Sequence, residues 1–112
     1  MRIEKPWGYE ELWALTGKYA GKLLFINAGE SLSLQYHETK EETLRIMSGA
    51  LSMTTIDEDG ILVTKEMRDG EVEHIAPRVR HRMTAVDDCV VLEVSTPQLD
   101  DVVRLADKYG RI

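Results

Sequence analysis

Short apolar runs recur along the chain, each about a strand long and each closed by a turn signal. They are Leu12–Leu15, Lys22–Ile26, Ser31–His37, Thr43–Met47, Leu51–Ile56, Ile61–Lys65, Val72–Ala76, His81–Val86 and Val90–Ser95. The punctuation between them is Asn27-Ala28-Gly29, Ser48-Gly49, Asp57-Glu58-Asp59-Gly60, Asp69-Gly70 and Asp87-Asp88. Many short strands at this spacing predict an antiparallel sandwich or barrel. Glu58-Asp59-Gly60 reads as a hairpin turn, because Asp and Gly tolerate the positive φ that such turns need. The C-terminus carries the one helix signal. Thr96 suits the cap, Pro97 the first helical position, Asp100 and Asp101 the positive end of the dipole, and Gly110 the stop.

The run Ser31–His37 alternates sharply. Ser31, Ser33, Gln35 and His37 share one face, and Leu32, Leu34 and Tyr36 share the other. If the polar face lines a pocket, the apolar face points outward and needs a cover. A homodimer would supply it. Val72 and Ala76 flank His74 in alternation, which places His74 inside or near a pocket mouth. Trp7 and Trp13 are expected to cover apolar barrel surface, and Cys89 to be a small buried hydrophobe.

The chain has 112 residues, the size of one domain spanning 1–112, and it can bury a core without disulfides. Its net charge of −6 argues against nucleic-acid binding, which needs a basic surface. The single cysteine permits no intrachain disulfide and fits a reducing compartment. No apolar run approaches the length of about 20 residues that crosses a membrane, and Met1–Pro6 has no apolar signal core, so the expectation is cytoplasmic.

Chemistry concentrates in one pattern, Gly-x5-Gln-x-His-x4-Glu-x6-Gly, built from Gly29, Gln35, His37, Glu42 and Gly49, with His81 far downstream after Gly70 and Pro77. Gln35 and His37 share a strand face. Glu42, after a short turn, and His81, from a distant strand, can close on the same point. Two imidazoles with carboxylate and amide oxygens suit a divalent transition metal (Zn, Mn, Fe, Co or Ni) without selecting among them. Gln35 could ligate directly or hydrogen-bond a metal-bound water.

The two-part pattern resembles the cupin superfamily, which implies an all-β double-stranded β-helix of jelly-roll type, here with a short C-terminal helix. Gly29, His37, Glu42, Gly49, Gly70 and His81 match the cupin spacing. Gln35 stands where a first His is usual, and Ala76, Arg78 and Ala85 stand where Pro, Gly and Asn are usual. Within the superfamily the chain resembles the C-terminal isomerase domain of the bifunctional type II mannose-6-phosphate isomerase/GDP-mannose pyrophosphorylases. Lys5-Pro6-Trp7-Gly8-Tyr9, Leu32-Ser33-Leu34-Gln35-Tyr36-His37, His81-Arg82, Glu93-Val94, Asp100-Asp101-Val102-Val103-Arg104 and Asp107-Lys108-Tyr109-Gly110-Arg111 carry that likeness. Lys40 replaces a usual Arg and Leu44 a usual Trp. Pyrophosphorylase activity is not expected, because the likeness covers the isomerase domain alone.

The resemblance implies a metal-dependent aldose–ketose isomerase acting on a sugar or sugar phosphate such as mannose 6-phosphate. The base that moves a proton between C2 and C1 would come from Glu93, Lys40 or Lys22, with Tyr36 also in reach. Lys22 is the expected cationic partner of Glu93. Arg104 and Arg111, with Arg82, are the candidates for binding phosphate. Two other classes compete. His37, Glu42 and His81 also compose the two-His-one-carboxylate set of non-haem Fe(II) oxygenases, and the missing Arg and Trp favour a non-catalytic sugar-binding cupin.

Overall fold

The computed structural model describes residues 1–111. Eleven strands alternate with turns: β1 (Arg2–Lys5), β2 (Gly8–Leu15), β3 (Ala20–Ile26), β4 (Leu34–Tyr36), β5 (Glu42–Ser48), β6 (Ala50–Ile56), β7 (Leu62–Arg68), β8 (Val72–Ile75), β9 (Arg80–Ala85), β10 (Cys89–Ser95) and β11 (Val103–Ala106). They form two antiparallel sheets, one of six strands in the order β1-β2-β3-β10-β5-β8 and one of five in the order β11-β4-β9-β6-β7. The facing sides of the sheets make the core, where Leu24, Ile26, Leu44, Ile46, Leu51, Met53, Ile75, Met83 and Val91 are almost entirely buried. Period-two burial on β5, β9 and β10 follows directly from the alternation in the sequence.

Two turns show how local chemistry fixes the frame. At the β6–β7 hairpin, Asp57 Oδ1 accepts the N–H groups of Asp59 and Ile61, and Gly60 sits at φ 80°. Between β5 and β6, Gly49 sits at φ 97° against the turn between β9 and β10, where a Cβ would come 2.2 Å from the Asp88 carbonyl oxygen. Only glycine fits there.

Nine strands fall where the alternation predicts them. The expected C-terminal helix does not form, and among the described residues there is no helix. Residues 97–102 make turns, and Val103–Ala106 becomes β11, paired to β4. The segment is too short to hold a helix without packing, its Val102-Val103 pair prefers extended backbone, and the open edge of β4 offers partners for its amides. The carboxylate of Asp101, expected near the helix start, instead accepts the backbone N–H groups of Glu38, Thr39 and Lys40. β1 was not expected. Leu32 also departs from the predicted outward stripe: residues 31–33 precede the strand proper, and Leu32 packs against the core. No helix is long and apolar enough to cross a membrane among the described residues.

Candidate metal centre

His37 follows β4, Glu42 opens β5 and His81 lies second in β9, so the two sheets deliver their side chains to one point. One ligand atom from each lies within 4.8 Å of the others, and all three residues are buried. Glu42 Oε1 is 3.1 Å from His81 Nε2 and 3.5 Å from His37 Nε2. The backbone sets the tautomers. His37 Nδ1 lies 2.5 Å from the Asp101 carbonyl oxygen, and His81 Nδ1 lies 3.0 Å from that of Val79. A carbonyl can only accept, so each Nδ1 carries a hydrogen and each neutral ring presents a bare Nε2.

Both Nε2 atoms are buried and lack a hydrogen-bond partner. Two lone pairs facing a carboxylate oxygen repel one another unless a cation or a proton lies among them. The 3.1 and 3.5 Å separations from Glu42 Oε1 are close to those between neighbouring ligands held at about 2.1 Å from one ion, roughly 3.0–3.4 Å apart. The three residues therefore fit a divalent metal in donor type, spacing and ring orientation, with the Asp101 and Val79 carbonyls as the outer partners that such sites use.

A buried charge network adjoins the trio. Lys40 Nζ donates to Glu42 Oε2 at 3.2 Å and to Glu93 Oε2 at 3.1 Å. Burial alone would lower the Lys40 pKa, but the attraction of Glu93 and Glu42 outweighs it and the value is raised. Burial would raise Glu42, yet with a proton shared among the trio in place of a cation the two imidazoles, and Lys40 beside them, hold it well below the usual carboxylate range. Glu93 goes the other way. Burial, reinforced by repulsion from Glu42, pushes it up to about 7 despite Lys40 and Lys22. One carboxylate is held ionised and its neighbour is poised to exchange a proton.

A cavity of about 440 Å³ opens onto this network, with His37, Lys40, Glu93, Gln35, Lys22 and Arg104 on its wall. Gln35 faces His81 in register, and its Oε1 accepts the Ser33 hydroxyl at 2.6 Å. Arg104 faces Gln35 from β11, its buried Nε without a partner. Arg111 also lines the cavity, but Asp107 holds its guanidinium through two bonds at 2.8 and 2.9 Å. Arg82 alternates away from His81 onto the outer face of its sheet. Lys22 pairs with Glu10 at 3.5 Å, and the direct partner of Glu93 is Lys40. His74 is exposed and pairs with Glu41 on the outer surface. Trp7 is buried in the core, Trp13 stands half exposed, and Cys89 is buried, its thiol pushed up to about 11 chiefly by burial.

Sequence reasoning missed Asp101, whose carbonyl orients His37 and whose carboxylate gathers residues 38–40. In the sequence Asp100-Asp101 reads as a helix-start signal and as part of a family-like stretch, with no link to His37. A role exercised through a main-chain carbonyl leaves no side-chain signature.

Fold and site together define a cupin jelly roll with a His-Glu-His cluster of metal-ligand composition. No protein-family model matches the chain. In sequence it is similar to mannose-1-phosphate guanylyltransferase of Escherichia coli, 30% identical over 115 residues that take in 98% of this chain and 23% of the relative. It is 29% identical over 114 residues to alginate biosynthesis protein AlgA of Pseudomonas putida, covering 99% of this chain and 23% of that one. The chain thus spans about a quarter of the length of these relatives. In structure it is similar to KdgF from Halomonas sp. (TM-score 0.76, 16% identity, 89% of this chain and 90% of that one). It is also similar to a variant of oxalate decarboxylase from Bacillus subtilis (TM-score 0.86, 16% identity, 100% and 32%). These structural likenesses establish the shared fold.

Proposed function

We propose that residues 1–112 act as a single cytoplasmic cupin domain catalysing a metal-dependent aldose–ketose isomerisation of a sugar phosphate such as mannose 6-phosphate. The observation that carries the reading is the convergence of two carbonyl-locked imidazoles and an ionised Glu42 beside a second carboxylate, Glu93, poised near neutral pH. The likeness to mannose-1-phosphate guanylyltransferase supports a sugar phosphate as the substrate class.

In this reading His37, Glu42 and His81 hold a divalent cation, with Gln35 beside them on the wall. Once bound, the cation supplies Lewis acidity at the substrate carbonyl. Glu93 lines the cavity and takes the proton from C2. It returns that proton to C1 of the resulting enediolate while the O2 hydroxyl proton passes to O1, so that no proton is gained or lost overall. Lys40 holds the Glu93 carboxylate in place through its 3.1 Å bond and screens it from Glu42. Lys22, committed to Glu10, tunes the charge of the wall and does not reach the reacting atoms. Arg104 is the cation left for the phosphate, since Arg111 is engaged by Asp107 and Arg82 faces away.

The test is a coupled assay for conversion of mannose 6-phosphate to fructose 6-phosphate, with protein stripped and reloaded with Mn, Co, Ni, Zn or Fe. Metal-dependent turnover that is lost in Glu93→Gln is the expected result. A protein that binds metal stoichiometrically and turns over with none of the five would overturn the isomerase reading. Oxygen uptake with the iron form would then point to the oxygenase class, and sugar phosphate binding without turnover to a binding role.

A further inference from the structure

The metal centre uses none of Arg78, Arg80 and Arg82. Alternation along β9 turns His81 inward and sends Arg80 and Arg82 to the outer face of the five-stranded sheet. Gln35 pairs with His81, so its neighbour Tyr36 emerges on that outer face, beside Arg80. A groove of about 520 Å³ opens there, lined by Tyr36, Glu58, Arg78, Arg80 and Leu105. Its volume falls within the roughly 300–1,000 Å³ of small-molecule sites. The apolar stripe that the sequence predicts on this face is therefore interrupted by charge.

The charge is uncompensated. The chain carries 20 carboxylate residues against 14 lysines and arginines, yet neither Arg80 nor Arg82 meets one. The arginines that form ion pairs among the described residues are Arg2, Arg68, Arg78 and Arg111. The pair of Arg78, to Glu38 at 3.8 Å, is loose and exposed and contributes little. Arg80 donates one long bond, from Nη2 to the Asp57 carbonyl oxygen at 3.3 Å. The Nε of Arg82 is buried without a partner, and the hydroxyl of Thr54, its neighbour in register, is engaged with that of Thr64. Glu58 is the one carboxylate on the groove wall.

Arg78 holds φ 71°, alone among the described non-glycine residues in the left-handed region. Cupin spacing usually has glycine there, which adopts that conformation freely, whereas an arginine loses stability by it. Strain of this kind collects at functional sites. Beside the guanidiniums, Leu105 is 43% exposed, and the Tyr36 ring stacks on no other aromatic side chain among the described residues.

We propose that this groove binds a phosphate monoester carrying a planar ring, such as a nucleoside 5′-phosphate. Arg78 and Arg80 take the phosphate oxygens through paired N–H donors. Two guanidiniums call for a dianion, which a phosphate monoester approaches at neutral pH and a single carboxylate does not. Arg82 adds positive potential about 7 Å further along the strand. The ring lies on Tyr36 and Leu105. Strand β9 separates this groove from the metal centre, so the site stands independently of the isomerase reading.

Titration of the nitrogen-15-labelled full chain with AMP, read by amide chemical shifts, tests this. Saturable shifts at Tyr36 and residues 78–82 are expected, with a dissociation constant of about 1 mM or tighter. Adenosine and inorganic phosphate should each bind at least about tenfold more weakly. Arg80→Met should weaken AMP about 10–100-fold, the loss of a charge-assisted contact. Tyr36→Leu should weaken AMP and leave inorganic phosphate unchanged. Arg78→Gly should weaken AMP about tenfold with a melting temperature equal to or above that of wild type, because glycine relieves the backbone. Arg104→Met, altered in the metal cavity, should bind AMP as wild type does. No saturable shift, an affinity indifferent to Arg80→Met and Arg78→Gly, or an affinity lost in Arg104→Met would each overturn the proposal. So would an Arg78→Gly protein that loses stability together with binding, since the guanidinium would then serve the fold.

Discussion

Asp101 and His37, 64 residues apart, are joined by a hydrogen bond of 2.5 Å from the ring Nδ1 to the main-chain carbonyl oxygen. The carboxylate of the same Asp101 accepts three consecutive backbone N–H groups, from Glu38 at 3.0 Å, Thr39 at 2.7 Å and Lys40 at 2.9 Å. Those bonds, Lys40 foremost, hold its pKa below the usual carboxylate range. One C-terminal residue therefore sets both the tautomer of a candidate ligand and the path of the loop that leads to Glu42. Asp101→Ala keeps the carbonyl but frees the loop. Metal affinity should fall about 10–100-fold, as on loss of an outer-shell partner, measured by competition with a chelating dye. An unchanged affinity would mean that the loop holds its shape without the carboxylate.

His81 is placed more rigidly, at the centre of the five-stranded sheet and 1% exposed. His81→Ala removes one of three convergent donors and leaves Glu42 facing His37 alone. Metal content by mass spectrometry of the purified protein should drop from about one ion per chain to a small fraction. Chelation of wild type should lower stability by the linked binding free energy, about 2.7 kcal/mol at a free metal concentration a hundredfold above the dissociation constant. His81→Ala should show no such chelator-dependent change. A variant that keeps stoichiometric metal would place the ion elsewhere.

Lys40 lies between two buried carboxylates. Lys40→Met fills the volume but leaves Glu42 and Glu93 facing each other with no counter-charge. Removing one partner of a buried pair costs about 3–5 kcal/mol, and urea denaturation should show a loss of that order in the metal-free protein. Pairing the change with Glu93→Gln should recover much of it, because the repulsion it exposes is then gone. Equal losses in the single and double variants would show that the lysine acts through packing alone.

The sequence carried the sheet in its side-chain periodicity, and the clustering of His37, Glu42 and His81 in the spacing of the two-part motif. Alternating burial on β5, β9 and β10 and the fixed spacing of His37, Glu42 and His81 needed no tertiary information. β1 was illegible, since Arg2-Ile3-Glu4-Lys5 holds one apolar residue and exists as a strand only by pairing with β2. β11 was misread as helix for a related reason: good cap residues precede it, and the free edge of β4 that decides the outcome is remote in sequence. The partner of Glu93 was also misassigned. Lys22 is its register neighbour on β3, yet β3 gives that lysine Glu10, while the loop gathered by Asp101 turns Lys40 inward.

Arg111 and Asp107 close the C-terminal segment with a bidentate pair. The Arg111 hydrogen bonds hold the Asp107 carboxyl down at about 2. A depressed carboxyl contributes stability above its unfolded pKa of about 3.9 and loses it as pH falls toward the folded value. The clamp should therefore be intact at pH 5 and above and released between about pH 4 and 2. The protection factor of the Arg111 amide, which donates to Asp107 Oδ2, should fall as pH drops across that window, and in Asp107→Asn it should be low at every pH. Release centred above pH 5 would contradict the assignment.

Arg104 is the cavity cation with no carboxylate of its own: among the described residues it forms no ion pair, and its Nε is buried without a partner. It stands two strands from His81, across Gln35, about 10 Å away at ordinary strand spacing. A sugar phosphate anchored at the ligand trio by its carbonyl end would reach that distance with its phosphate. Arg104→Met should then raise KM for the phosphorylated substrate about 10–100-fold, the loss of a charge-assisted contact of roughly 1.5–3 kcal/mol. It should leave metal content and kcat nearly unchanged, because the side chain touches neither the ligands nor the reacting carbons. Lysine at the same position should recover part of the loss, since charge is kept and bidentate geometry is not. A fall in kcat with KM unchanged would place Arg104 in the chemistry instead of in substrate binding.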